Sequence, residues 1–293
     1  MSDRHLVYLA YGPRRFLDEA IYSLASHVAV SGPDAAAVTV YTDDPGYLRA
    51  RLPAGVRYEE LGADRIRSWR GPTDFVHRVK VEMLRDFCAR QRGTVVYVDT
   101  DTVFLKPLDD VFAALERGGV AFMHESEGRL SSRKNPIFRK LLAFFRKNSF
   151  TYRGAPLLVP PESGMWNAGL IGMRVDQRRL LDEVLDLTDQ FHARYPKHVM
   201  EQFAFSYVLS RELALHAADD HVHHYWNFKE FDGVLSAFLT KHRRFEEVVA
   251  NRARIDPAVL VRPKLEFERL PPPARFFRKH LLRRTWALPV IDL

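Results

Sequence analysis

A chain of 293 residues that is 46% hydrophobic and 12% aromatic can bury a sizeable core, which excludes a disordered polymer. Its single cysteine, Cys88, excludes an internal disulfide framework and fits a reducing compartment. The formal charge of +7 is local: residues 128–153 hold eight bases and no acid, residues 275–286 hold five and no acid, and the remainder carries 31 bases against 37 acids. No apolar run approaches the ~18 residues of a membrane-spanning helix. The polar opening MSDRH passes straight into a strand pattern, so a soluble, cytoplasmic protein is expected.

The elements alternate. LVYLAY (6–11) is a short apolar run ending in Gly12-Pro13, which predicts a buried parallel strand and its exit loop. FLDEAIYSLASHVAV (16–30) carries apolar residues at helical spacing, and AVTVYTDD (37–44) is a second strand. A strand, a helix and a strand of these lengths open a doubly wound α/β sheet. A third strand is expected at 56–61 and a helix from Phe75 to Cys88, and GTVVYVDTDTVFLKPLDDVF (93–112) predicts a strongly apolar strand, an acidic turn and a further apolar stretch leading to a short helix. GGVAFMHE (118–125) and MWNAGLIGMR (165–174) predict two more strands, and helices follow around 176–193 and 198–211. Residues 126–165 read as a basic insertion or lid over the sheet's C-terminal edge, with a helix at 136–148. Residues 1–270 form one domain in this reading, and residues 271–293 form a basic amphipathic tail.

The acidic turn carries the chemistry. Asp99 and Asp101 follow VVYV at the C-terminal end of the best strand, where open parallel sheets bind ligands. Alternate residues of an extended backbone point the same way, so two carboxylates converge there and call for a hard divalent cation, Mn²⁺ or Mg²⁺. Such an ion stabilises charge on a departing diphosphate.

YVDTDTVFLKPLDDVF resembles the acidic-turn segment of GT-A glycosyltransferases. WNAGLIGMR is similar to the strand with Asn-Ala-Gly in glycosyltransferase family 8, and EQFAFSYVL to that family's Asp-Gln helix. The resemblance implies a GT-A fold with a mixed, mainly parallel sheet and a C-terminal helical extension. It also implies metal-dependent transfer of a hexose from a UDP-sugar to a glycan or glycolipid, with retention. By the same resemblance Asp99, Asp101 and His223 bind the metal, with His224 nearly as good a candidate, and Lys229 lies six residues after His223 as the family spaces it. Thr100 would lie beside the ribose. Tyr8, Ala10 and Tyr11, with Asp43 or Asp44, would form the base pocket, and Lys80 would lie near the donor sugar or diphosphate. Asn167, Ala168 and Gly169 would flank the transferred sugar, and Glu201 and Gln202 the anomeric carbon. Glu201 stands where the family has aspartate, and Trp226 where it has glycine.

Two other functions compete. A sugar nucleotidyltransferase uses a similar fold and metal, but YGPRRFLDE lacks its Gly-rich loop after the first strand. A catalytically silent nucleotide- or glycan-binding relative would have no use for a preserved pair of metal carboxylates. The basic tail RFFRKHLLRRTW suits an anionic membrane surface, and the charge of 128–153 suits a phosphate-bearing acceptor. No nucleic-acid-binding motif accompanies either basic segment.

Overall fold

The computed structural model describes residues 3–132, 135–281, 285–289, 291 and 293. The chain runs β1 (Arg4–Ala10), α1 (Arg14–Ser31), β2 (Ala37–Thr42), α2 (Pro45–Arg49), β3 (Arg57–Glu60), α3 (Ala63–Arg70), α4 (Arg78–Arg90) and β4 (Thr94–Val98). It continues through β5 (Thr102–Phe104), α5 (Asp109–Arg117), β6 (Val120–Met123), β7 (Ser126–Arg129), α6 (Pro136–Lys147), β8 (Thr151–Tyr152) and β9 (Ala155–Pro156). Then follow β10 (Gly164–Trp166), β11 (Leu170–Arg174), α7 (Arg179–Arg194), α8 (Val199–Glu212), β12 (Ala214–Ala217) and β13 (Val222–His224). The last helices are α9 (Phe231–Lys241), α10 (Phe245–Asn251), α11 (Pro257–Leu260), α12 (Arg262–Arg269) and α13 (Pro272–Phe276).

Among the described residues a seven-stranded sheet has the order β12-β6-β11-β4-β1-β2-β3. Its strands run parallel except β11, which is antiparallel to both β4 and β6. The expected α/β class and mixed, mainly parallel sheet are therefore present. Alternation distributes side chains to the two faces. Leu6, Tyr8, Val96 and Val98 join the core beneath α1, α5, α9 and α10. Val7, Val95 and Tyr97 join the core beneath α4, α6, α7 and α8. Burial on both faces is why these strands read as unbroken apolar runs.

This topology places the site. From β1 the chain winds to β2 and β3 on one side, whereas β4 pairs with β1 on the other. The crevice at the C-terminal ends of β1 and β4 is thus the switch point of the sheet, where ligands of open α/β folds bind. Asp99 directly follows β4 there. Asp99 continues the 95, 97 alternation, so its side chain turns toward α4 and α8.

The insertion divides. β7 pairs antiparallel with β10 in a separate two-stranded sheet. Helix α6, capped by Asn135, instead buries Phe138, Leu141 and Phe145. Phe145 lies 5.0 Å from Phe191 of α7 and 4.7 Å from Phe203 of α8. The helix therefore leans on the α7–α8 layer, because its apolar stripe needs that partner. Arg133 and Lys134 of the basic segment lie outside the described residues. In the tail, the expected helix over 275–286 is shorter: α13 and a helical turn over Phe277–Leu281 expose Phe276, Phe277 and Leu281. Leu282, Arg283 and Arg284 lie outside the described residues. Trp286, Leu288, Ile291 and Leu293 pack back against the α1–α9 core. Among the described residues no helix is long and apolar enough to cross a membrane.

Candidate metal centre

The acidic turn is pinned by its neighbours. The Asp99 amide donates to the Gly169 carbonyl at 2.8 Å, the Thr102 hydroxyl to the Asp99 carbonyl at 2.8 Å, and the Tyr225 amide to the Asp101 carbonyl at 3.0 Å. β13 pairs antiparallel with β5, so His224 lies opposite Thr102 and His223 opposite Val103. That register sends the two histidines to opposite sides. His224 Nε2 lies 3.0 Å from Asp101 Oδ1 and 3.7 Å from Asp99 Oδ2. His223 turns to the other side, and its Nε2 is buried without a hydrogen-bond partner. Asp99, Asp101 and His224 each offer one ligand atom, all within 4.8 Å of one another.

The hydrogen bonds around His224 test whether this triad fits a metal. Gly169 N–H can only donate, so its 2.8 Å bond identifies the Asn167 atom it meets as the carbonyl oxygen. His224 Nδ1 lies 2.9 Å from that same oxygen and must therefore be the protonated nitrogen. In the neutral ring Nε2 is then a lone pair aimed between the two carboxylates, as in metal sites whose histidines are oriented by an outer partner. Without a cation the ring must instead carry a second proton. Burial opposes that charge, but Asp101, by charge and hydrogen bond, and Asp99 overcome it and raise His224. Burial likewise pushes Asp101 up, yet His224 and Lys229 hold it well below the usual carboxylate range. Gly169 makes the packing feasible: a Cβ there would come within 2.1 Å of His224 Nδ1.

A second charged group backs the first. Lys80 follows the buried stripe of α4 one turn before Leu84, so its ammonium enters the protein. It meets Asp99 Oδ1 at 3.1 Å, the Ala168 carbonyl at 3.1 Å and Glu201 Oε1 at 3.3 Å. Burial lowers the Lys80 pKa, but the two carboxylates outweigh it and keep the amine protonated. Burial lifts Glu201 to about 7 against the pull of Lys80, with Asp99 adding to the rise. Tyr97 donates its hydroxyl to Asp99 from below. Lys229 is exposed and reaches within 3.6 Å of Asp101 Oδ2.

The other expected site residues divide between the core and the crevice. Tyr8 is fully buried with its hydroxyl 3.2 Å from Ser23, and Ala10 is also core, because both face α1 from β1. Thr100 turns inward and donates to Glu19 Oε2 at 2.8 Å, so its hydroxyl does not face a ribose. Asp44 caps α2 through Tyr47 N–H and pairs with Arg14. Asp43 is exposed beside the crevice and accepts from Gly12 N–H at 3.0 Å. Tyr11 is half-buried there, its hydroxyl without a partner. Asn167 supports His224 and Gly169 through its carbonyl and meets Glu127 of β7 at 3.3 Å through its amide nitrogen, which leaves it holding the centre. Gln202 is half-buried on α8 beside Glu201.

Sequence reasoning missed Glu19 and His124. Glu19 is buried within α1, and burial together with Asp101 raises it to about 8. Nothing local marks it, since α1 is covered on both sides from Leu17 to His27. His124 ends β6 at the same sheet edge as Asp99, a position that could have flagged it. Its ring stands 5.4 Å from that of His224, and burial plus the His224 charge lower it to about 4.

Neither a family model nor a curated protein matches the sequence. Among solved structures, the chain is similar to the apo form of mouse xyloside xylosyltransferase 1, at 13% identity over 74% of this chain and 85% of that one, with a TM-score of 0.49. It is also similar to galactosyltransferase LgtC in complex with donor and acceptor sugar analogs, at 11% identity over 72% of each chain, again with a TM-score of 0.49.

Proposed function

We propose that this chain is a metal-dependent glycosyltransferase that moves a hexose from a UDP-sugar to a glycan or glycolipid acceptor, with retention. The observation that carries the reading is the convergence of Asp99, Asp101 and the Nε2 lone pair of His224 at the sheet's switch point. Two carboxylates and one imidazole favour Mn²⁺ over Mg²⁺, since a nitrogen ligand suits the softer ion. When bound, the ion supplies positive charge to the diphosphate leaving group. The donor itself rests on the family 8 resemblance of the motifs.

The chain's own groups take the remaining roles. Lys229, exposed beside Asp101, faces the side on which a diphosphate would add negative charge. Lys80 fixes Asp99 and the Ala168 carbonyl, and so holds the turn against the β10–β11 junction. Glu201 is ion-paired with Lys80 and buried, which makes it a holding group. Retention then proceeds by departure and attack on one face of the sugar, with Gln202 beside the reacting carbon. Tyr11 and Asp43, at the ends of β1 and β2, remain the residues for the nucleoside. The exposed cations of α6, Arg139, Lys140, Arg146 and Lys147, are assigned to a phosphate-bearing acceptor on their charge alone. Exposed Phe276, Phe277 and Leu281 among Arg275, Arg278 and Lys279 suit peripheral contact with an anionic membrane on its cytoplasmic face.

The test is UDP release from a panel of UDP-hexoses with Mn²⁺. Asp101→Ala abolishes release while the variant stays folded, because Asp99 keeps its Lys80 partner and His224, still held by Asn167, can shed its second proton and stay neutral. Release unchanged in that variant contradicts the metal assignment.

A further inference from the structure

The edge of the sheet opposite the metal centre holds an open cavity of about 310 Å³. Gln91 and Arg92, between α4 and β4, face Arg174, Asp176 and Arg178, between β11 and α7, with buried Cys88 at its floor. The frame is rigid. Val175 N–H donates to the Gly93 carbonyl at 2.9 Å and ties the two segments together. Gly93 has φ +86°, and a Cβ there would come within 2.0 Å of the Asp3 carbonyl oxygen, so the bend before β4 admits no other residue without rearrangement.

The charges in this cavity do not cancel. Arg174 is fully engaged, with Nε 3.0 Å from Asp176 Oδ1 and Nη1 3.1 Å from the Glu116 carbonyl. Among the described residues Asp176 is the one carboxylate in the lining, and Arg174 already holds it below its ordinary value. The Arg92 and Arg178 guanidinium groups are exposed and have no carboxylate partner among the described residues, so Arg174 and Asp176 leave two positive charges at the cavity uncompensated. The Arg178 charge reaches the cavity floor, where it opposes the burial that raises the Cys88 thiol. Gathered guanidinium groups repel one another, and an anion is what such an arrangement lacks. Their planar forks match the oxygens of a phosphate group. Among the described residues no aromatic ring lines the cavity, so none of them would stack a nucleobase there.

We infer that this cavity is a second, metal-independent binding site for a small phosphate-bearing anion, held by Arg92 and Arg178 against the fixed Arg174. Six residues of extended chain separate Gly93 from Asp99, roughly 20 Å, so one small ligand cannot span both sites. The inference does not rest on the proposed transferase activity.

The experiment is calorimetric titration of inorganic phosphate and of pyrophosphate into the full chain with a chelator present, which takes the metal centre out of play. Wild type binds saturably, Asp99→Ala binds like wild type, and the Arg92→Ala/Arg178→Ala double variant loses at least about tenfold in affinity. Arg179→Ala, which removes an exposed cation outside the lining, leaves the affinity unchanged. Absence of saturable binding, or binding in the double variant equal to wild type, overturns the inference. So does sedimentation with phosphatidic acid vesicles that depends on Arg92 and Arg178 without binding of free phosphate, because the phosphate would then belong to a lipid surface.

Discussion

Replacing Asn167 by alanine isolates the feature on which the metal centre depends. The side-chain oxygen accepts from Gly169 N–H at 2.8 Å and from His224 Nδ1 at 2.9 Å. Alanine leaves the buried Gly169 amide without an acceptor, which costs about 1–3 kcal/mol of stability. It also frees the His224 ring to rotate or to place its neutral-state proton on Nε2, the atom needed for the metal. Loss of an outer partner of a metal-binding histidine weakens affinity by about 10- to 100-fold, which corresponds to about 1.4–2.7 kcal/mol. Manganese titration, followed by calorimetry or by electron paramagnetic resonance of the free ion, measures the affinity, and circular dichroism confirms that the variant is folded. A folded Asn167→Ala protein that binds Mn²⁺ within about twofold of wild type refutes the tautomer argument.

Three further outcomes follow from the same geometry. Gly169→Ala drives a methyl group to within 2.1 Å of His224 Nδ1, so Mn²⁺ binding is lost and the melting temperature falls; retention of both contradicts the packing described. Manganese must displace the proton that Asp101 and Asp99 hold on His224, so affinity falls as pH drops below the raised His224 pKa, by about tenfold per pH unit. Equal affinities at about pH 6 and about pH 8 would count against it. His27, buried in α1 with neither ring nitrogen bonded, is lowered to about 4 by burial, so its neutral ring favours the folded state above the unfolded value of 6.5. That contribution is lost as pH falls from 6.5 toward 4, by up to about 3 kcal/mol. His27→Leu therefore destabilises less than wild type on acidification in urea titrations, and identical pH slopes would remove His27 from the account.

What the sequence discloses here is mostly local. The apolar run 94–98 needs cover on both faces, and that alone marks β4 and the acidic turn behind it. The family resemblance singled out Lys80, but its pairing with Asp99 and Glu201 rests on how β4 and α8 pack against α4. Choosing between His223 and His224 required the β5–β13 register, which pairs residues more than a hundred positions apart and leaves no trace in either segment. The burial of the Tyr8 and Ala10 side chains was hidden for a related reason. Strand alternation says that they share a face, but only the packing of α1 says that this face is core. Thr100 followed the same course, drawn inward by Glu19, whose burial depends on elements covering both sides of α1. The helix at 136–148 was visible from its period, while its seat on α7 and α8 is a tertiary choice.

The measurement that bears most directly on the central claim is calorimetric titration of UDP into the protein with and without Mn²⁺, repeated with Asp99→Ala. The account predicts binding that requires Mn²⁺ and disappears in the variant. UDP binding that is independent of the metal, or absent altogether along with that of GDP and dTDP, would contradict it.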